Sequence, residues 1–245
     1  MRKLLLVLFV FNLTILSAQE TGENKLGSWH MYFGTNKISE KFSIHTEVQL
    51  RYYEQAKNFN QLLLRTGLNY HINPNAIATI GYGYIDTDPT FTDVETLAGP
   101  DLSAVATNTI LEHRLFEQFI LKNKVGEFLF EHRYRLEQRF IQFGDKDTPV
   151  YNKSTQHRAR YRLQVTLPLT DIFFLNFYDE VFLNLQREAF GQNRLYAALG
   201  INVTENLSVQ AGYLKNHFRT VDFDRLQIGV FYNPDLRGVF KKKKE

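Results

Sequence analysis

Between Lys25 and Asn233 the chain alternates apolar and polar residues in successive segments, with no sustained helical period. The run from Lys41 to Tyr53 shows the device. Phe42, Ile44, Thr46, Val48, Leu50 and Tyr52 share one face, and Ser43, His45, Glu47, Gln49 and Arg51 share the other. Gly126 to Phe140 repeats it, with Phe128, Phe130, His132, Tyr134, Leu136 and Phe140 against Glu127, Glu131, Arg133, Arg135, Glu137 and Arg139. Arg158 to Leu167 sets Arg158, Arg160, Arg162 and Gln164 against Ala159, Tyr161, Leu163, Val165 and Leu167. Comparable runs cover residues 28–35, 59–72, 76–85, 109–121, 173–185, 192–203, 207–218 and 223–233, eleven runs in all. The prolines at 74, 89, 100, 149, 168 and 234 fall outside them, where a missing backbone donor does no harm.

Runs of this length exceed the usual strand of a globular sheet and suit a tilted membrane crossing. The connections alternate as well. Short turns are expected at Asn73–Asn75, near Asn123, at Pro168–Asp171 and at Thr204–Asn206. Longer loops are expected at Asp86–Thr107, Gln142–Gln156, Gln186–Gly191 and Arg219–Asp222. A soluble sandwich would not put so regular a charged face opposite an apolar one. A transmembrane barrel sends the charges into its lumen and the apolar face to lipid, and closure removes the edges that lipid would not tolerate. The expected fold is therefore all-β, an antiparallel transmembrane β-barrel. Such barrels usually have an even strand number, so eleven runs point to about twelve strands, within a range of ten to twelve. Tyr52, Tyr53, Tyr82, Tyr84, Tyr213 and Tyr232 are expected in interfacial girdles.

The chain begins with Arg2-Lys3, an apolar run from Leu4 to Phe11, and small residues before Gln19. This reads as a signal peptide over residues 1–18, leaving residues 19–245 as one outer-membrane barrel domain. With no cysteine in the chain, disulfides, thiolate metal sites and cysteine nucleophiles are excluded. Removing Arg2 and Lys3 from 29 basic residues leaves 27 against 26 acidic ones, so no global pull on nucleic acid is expected. The Lys241–Lys244 run reads as a solvated tail.

Several stretches together resemble a known family. They are Glu112-His113-Arg114, His132 to Phe140, Arg158 to Leu163, Tyr178 to Asn184, Gly191 to Tyr196 and Ala211 to Leu214. The chain is similar to the bacterial outer-membrane family called DUF2490, over most of its length. The resemblance implies an outer-membrane β-barrel of the Bacteroidota type and implies no substrate.

Parity sends a charge network inward: Glu112, Arg114, Glu131, Arg133, Arg135, Glu137, Arg139, Arg158, Arg160, Arg162, Glu180 and Arg194. Arg51, Arg65, Arg225, Glu47 and Glu127 join it on the same count. If the turn between the two central strands is centred at Lys122–Asn123, Glu112 lies opposite Arg133 and Arg114 opposite Glu131, a register that charge favours. The network can simply fill a narrow barrel, or its arginine surplus can serve small anionic solutes as a channel or binder. A closed structural barrel with loops for a protein partner is the second reading. A lipid-acting hydrolase or acyltransferase is the third, and it needs a serine and a histidine that meet. His113 and His132 face lipid with no serine beside them, and His45 shares one strand with Ser43 and Glu47, a poor geometry for a triad. Catalysis is not expected, no cofactor or metal site is indicated, and the acidic stretch Asp86, Asp88, Asp93 and Glu95 has no calcium-loop spacing. Outer-membrane lipid is the expected surrounding.

Overall fold

The computed structural model describes residues 25–91, 109–145, 148–186, 188–237 and 239. The proposed signal peptide, the lysine tail and most of the loop after Asp86 lie outside the described residues. Each alternating run becomes a strand: β1 (Gly27–Lys37), β2 (Phe42–Glu54), β3 (Lys57–Asn73), β4 (Ala76–Thr87), β5 (Thr109–Val125), β6 (Phe128–Asp145), β7 (Thr148–Pro168), β8 (Phe173–Asn184), β9 (Phe190–Thr204), β10 (Leu207–His217) and β11 (Asp222–Tyr232). They close a barrel in sequence order, β1 meeting both β2 and β11.

The strand number is eleven, not twelve. All neighbours are antiparallel except β1 and β11, which pair in parallel from Gly27↔Arg225 to Gly34↔Tyr232. An odd number of strands cannot close with every pair antiparallel, so one parallel seam is the geometric consequence. It also places the segment ahead of β1 at one end of the barrel and the exit of β11 at the other. A protease-cleavable tag inserted between Lys25 and Leu26 should therefore be cut from the same membrane side as one in the β8–β9 connection. Cleavage from opposite sides would refute the parallel seam.

Two-residue turns at Pro74–Asn75, Gly126–Glu127 and Glu205–Asn206 mark one end. The opposite end carries the long connection after Thr87 and the β8–β9 connection. The expected length alternation fails in two places there. The β2–β3 connection is only Gln55–Ala56, and the expected loop at Gln142–Gln156 is mostly strand, since β6 and β7 continue to Asp145 and from Thr148. Polar residues read as loop because a hairpin standing clear of its neighbours can be polar on both faces. Pro149 and Pro168 consequently lie inside β7, near its two ends.

The expected β5–β6 register is also overturned. The turn is at Gly126–Glu127, so Glu112 pairs with Ile141, His113 with Phe140 and Arg114 with Arg139. Gly126 takes φ +60°, a left-handed conformation that favours glycine and fits a tight hairpin. Turn chemistry thus outweighed cross-strand charge, and Glu127 sits exposed in the turn rather than in the lumen.

The exterior supports a membrane setting without any comparison. Leu50, Leu68, Ile80, Leu115, Leu136, Phe177, Leu195 and Ile228, from eight different strands, are all exposed large hydrophobics. A soluble monomer rarely exposes a contiguous apolar patch above a few hundred Å². Tyr52, Tyr82, Tyr84, Tyr213 and Tyr232 point outward, but Tyr53 does not belong to a girdle. It is buried, and its hydroxyl donates to the Asp88 carbonyl (2.7 Å).

Candidate functional site: the lumen

Inward positions carry both the charges and a set of large apolar side chains. Phe116 and Leu214 are 0% exposed and Phe182 is 1% exposed, so the lumen is filled at their levels. Glycines make the room. Gly81 lies against the Phe116 ring and Gly200 against the Phe174 ring, each so close that a Cβ would overlap ring carbons.

All twelve charged residues expected inside are inside, but their partners differ from the expected cross-strand ones. Glu137 is the centre. Its carboxylate meets Arg158 Nη2 at 2.5 Å, Arg160 Nη1 at 2.7 Å, Arg114 Nη1 at 3.4 Å and Arg135 Nη1 at 3.8 Å. Glu180 holds Arg133 (2.6 Å) and Arg160 (2.7 Å). Glu112 holds Arg114 (2.6 Å) and Arg139 (2.8 Å), which is how those two arginines tolerate their position opposite each other. Glu131 accepts from Arg162 at 2.5 Å nearer the short-turn mouth, with Lys122 at 3.7 Å. Glu47 holds Arg65 at 2.6 Å, and His45 Nε2 lies 3.2 Å from its other oxygen.

Sequence reasoning missed the neutral and aromatic members of the network. Gln118 accepts two hydrogen bonds from Arg135, and Gln49 and Gln61 accept from Arg51. The Phe182 ring lies under the guanidiniums of Arg160 (4.1 Å), Arg194 (4.6 Å) and Arg158 (5.0 Å). Trp29 lies under Arg51 at 3.7 Å and under Arg194 at 5.0 Å. Shared parity with the charged residues was the signal that could have found them.

The supply of carboxylate is short. Arg51, Arg65, Arg114, Arg133, Arg135, Arg139, Arg158, Arg160, Arg162, Arg194 and Arg225 face five glutamates: Glu47, Glu112, Glu131, Glu137 and Glu180. Among the described residues, five guanidinium nitrogens are buried without a hydrogen-bond partner: Arg65 Nε, Arg133 Nε, Arg135 Nη1, Arg162 Nε and Arg194 Nε. Buried charge and buried donors are costly when unpaired. The geometry can therefore accept anionic oxygen.

The serine–histidine question has a different outcome from the one parity suggested. Ser43 Oγ lies 2.8 Å from Nε2 of His71 on the neighbouring strand, and Asn69 donates to the same hydroxyl. Ser43 is 0% exposed. His113 Nδ1 and His132 Nδ1 instead meet tyrosine hydroxyls on the outer wall, those of Tyr82 and Tyr161 at 2.5 and 2.8 Å. Among the described residues no cluster of three His, Cys, Asp or Glu residues could hold a metal ion. Asp93 and Glu95 lie outside the described residues.

A family model described as "Protein of unknown function (DUF2490)" matches residues 26–227. None of the curated proteins compared with the chain is similar to it. Three solved structures align with it. A refined porin structure shares 15% identity over 79% of this chain and 58% of the porin, with a TM-score of 0.34. LpxR from Salmonella typhimurium shares 10% over 83% of this chain and 87% of LpxR, at 0.44. A deltaS2 mutant of the TodX monoaromatic hydrocarbon channel shares 11% over 79% and 70%, at 0.35.

Proposed function

The chain belongs to the DUF2490 family, and from that premise we propose that it is an outer-membrane barrel whose lumen binds small anions while its packing blocks free flow. The observation that carries this reading is the guanidinium surplus, with its five buried nitrogens that lack a hydrogen-bond partner among the described residues. Arginine is suited to the task because its planar fork matches carboxylate and phosphate oxygens. The apolar exterior and the short-turn end support an outer-membrane setting with the turns toward the periplasm. The blockage is argued from Phe116, Phe182 and Leu214, which fill the interior from three different strands.

A second reading has its own observation. The β6–β7 hairpin runs well past the end of β8, whose Asn184 pairs with Arg158, and gives a protein partner strand surface to dock on. In that reading the lumen charges are structural only.

Planar-bilayer recording together with thermal unfolding tests the proposal. No steady conductance is expected in chloride. At matched ionic strength a phosphate buffer should raise Tm above the chloride value, because a ligand that binds only the folded state stabilises it. Equal Tm in both buffers would remove the anion-binding reading, and a steady cation-selective current would remove the closed lumen.

A further inference from the structure

Resting on the anion-binding reading, we infer that Arg51 and Arg194, whose guanidiniums both lie over the Trp29 ring, form a site for a phosphate-class oxyanion near the long-connection mouth. All three residues lie within five positions of that end of their strands. Trp29 stands directly opposite Arg51 across the β1–β2 pair, and Arg194 reaches the same indole from β9.

The two arginines differ from the rest of the network in what holds them. Among the described residues Arg51 donates only to the neutral amides of Gln49 and Gln61. Arg194 has no carboxylate within 4.0 Å among the described residues, and its Nε is buried without a partner. Glu180 stands opposite Arg194 across the β8–β9 pair but is already taken by Arg133 and Arg160. Arg51 and Arg194 share the Trp29 ring, at 3.7 and 5.0 Å from its centroid, and Arg65 acts on both. Glu47 is bonded to Arg65, and Glu180, which acts on Arg194, is bonded to Arg133 and Arg160. Among the described residues no carboxylate lies within 4.0 Å of Arg51 or Arg194, and one dianion matches their two charges. A phosphate monoester is largely a dianion at neutral pH. Arg194 can offer its fork to phosphate oxygens, its Nε having no acceptor, and Arg51 can add the N–H groups that its bonds to Gln49 and Gln61 leave over. Arg194 is also less enclosed than Arg51, which gives the ligand its approach.

The chain holds a single tryptophan, so its emission reports on this site alone. The experiment titrates the folded full-length protein in detergent with inorganic phosphate, with glycerol phosphate and with chloride, all at matched ionic strength. A parallel arm adds phosphatidic acid to the micelle. A saturable change in Trp29 emission is expected with phosphate and not with chloride. The Arg194→Gln variant, shown to be folded by circular dichroism, should bind about tenfold more weakly, the scale of one lost charge-assisted contact. Arg194→Lys should fall between them, having the charge without the fork. A response to phosphatidic acid alone would assign the same site to a lipid headgroup rather than a free solute. An equal response to chloride would overturn the site, as would unchanged phosphate affinity in Arg194→Gln. If phosphate still raises Tm in that case, the anion binds elsewhere in the lumen and only the assignment to Trp29 has failed. If phosphate raises neither Tm nor emission, the broader reading fails with it.

Discussion

Replacing Glu137 by glutamine is expected to cost the folded barrel roughly 3–5 kcal/mol, the scale of breaking a buried ion pair and stranding its partner. Four guanidiniums lie within 4 Å of this one carboxylate, but they do not depend on it equally. Arg160 keeps Glu180 at 2.7 Å and Arg114 keeps Glu112 at 2.6 Å after the change. Arg158 and Arg135 have no other carboxylate among the described residues. The stranded charges are therefore those two, and the repair should be selective. Adding Arg158→Gln to Glu137→Gln should recover more stability than adding Arg160→Gln, which leaves Arg158 stranded and also takes a partner from Glu180. Guanidinium-induced unfolding of these three variants and the unaltered protein in detergent reads this directly. Equal recovery from both second changes would mean that the cluster acts as a diffuse field rather than through the contacts named. Glu131→Gln is the control. Glu131 is 20% exposed and holds one arginine at 2.5 Å where Glu137 holds two within 2.7 Å, so its loss should cost less than that of Glu137.

The contrast between Glu137 and Glu127 shows how far the sequence could be read. Period-two alternation placed the strand members of the charge network on the inward face and misplaced only Glu127, which lies in a turn where parity does not apply, because side-chain parity along a strand is local and tolerates no compromise where one face meets lipid. Parity has no knowledge of which residue stands across the barrel. Glu137 gathers arginines from its own strand, from β5 and from β7. Direct opposition accounts for Arg158 alone, across the β6–β7 pair, and Arg114, Arg135 and Arg160 are reached along the sheet by side chains longer than the strand spacing. The register error had a similar origin. Glu112, His113 and Arg114 matched Glu131, His132 and Arg133 as an antiparallel charge pattern, yet Gly126, with its left-handed backbone, was the stronger constraint on where the chain turns. The odd strand count was present in the eleven runs. What the sequence lacked was any local mark that β1 runs parallel to β11, since parallel and antiparallel membrane strands carry the same alternation.

Packing inside the lumen supplies the second large effect, and it comes from adding one carbon. In Gly200→Ala the new Cβ would stand 2.1, 2.3 and 2.6 Å from three atoms of the Phe174 ring, and Phe174 is the residue directly opposite on β8. Phe174 is itself buried, so the ring cannot swing into solvent. Overpacking of a filled interior costs about 1–3 kcal/mol and occasionally more, and this contact belongs at the upper end of that range. The cause can be separated from a general intolerance of glycine replacement. Trimming the ring in Gly200→Ala/Phe174→Leu should restore most of the loss, although Phe174→Leu alone should be destabilising through the space it opens. Gly126 provides the opposite case. Nothing lies within 4 Å of a Cβ there, and φ is +60°. Its replacement by alanine should cost about 1–2 kcal/mol through the backbone, with asparagine cheaper than alanine and no neighbouring substitution able to help. If trimming Phe174 fails to rescue Gly200→Ala, the ring does not pack against Gly200 in the folded barrel. The filled lumen, and with it the argument against free flow, would then lose one of its supports.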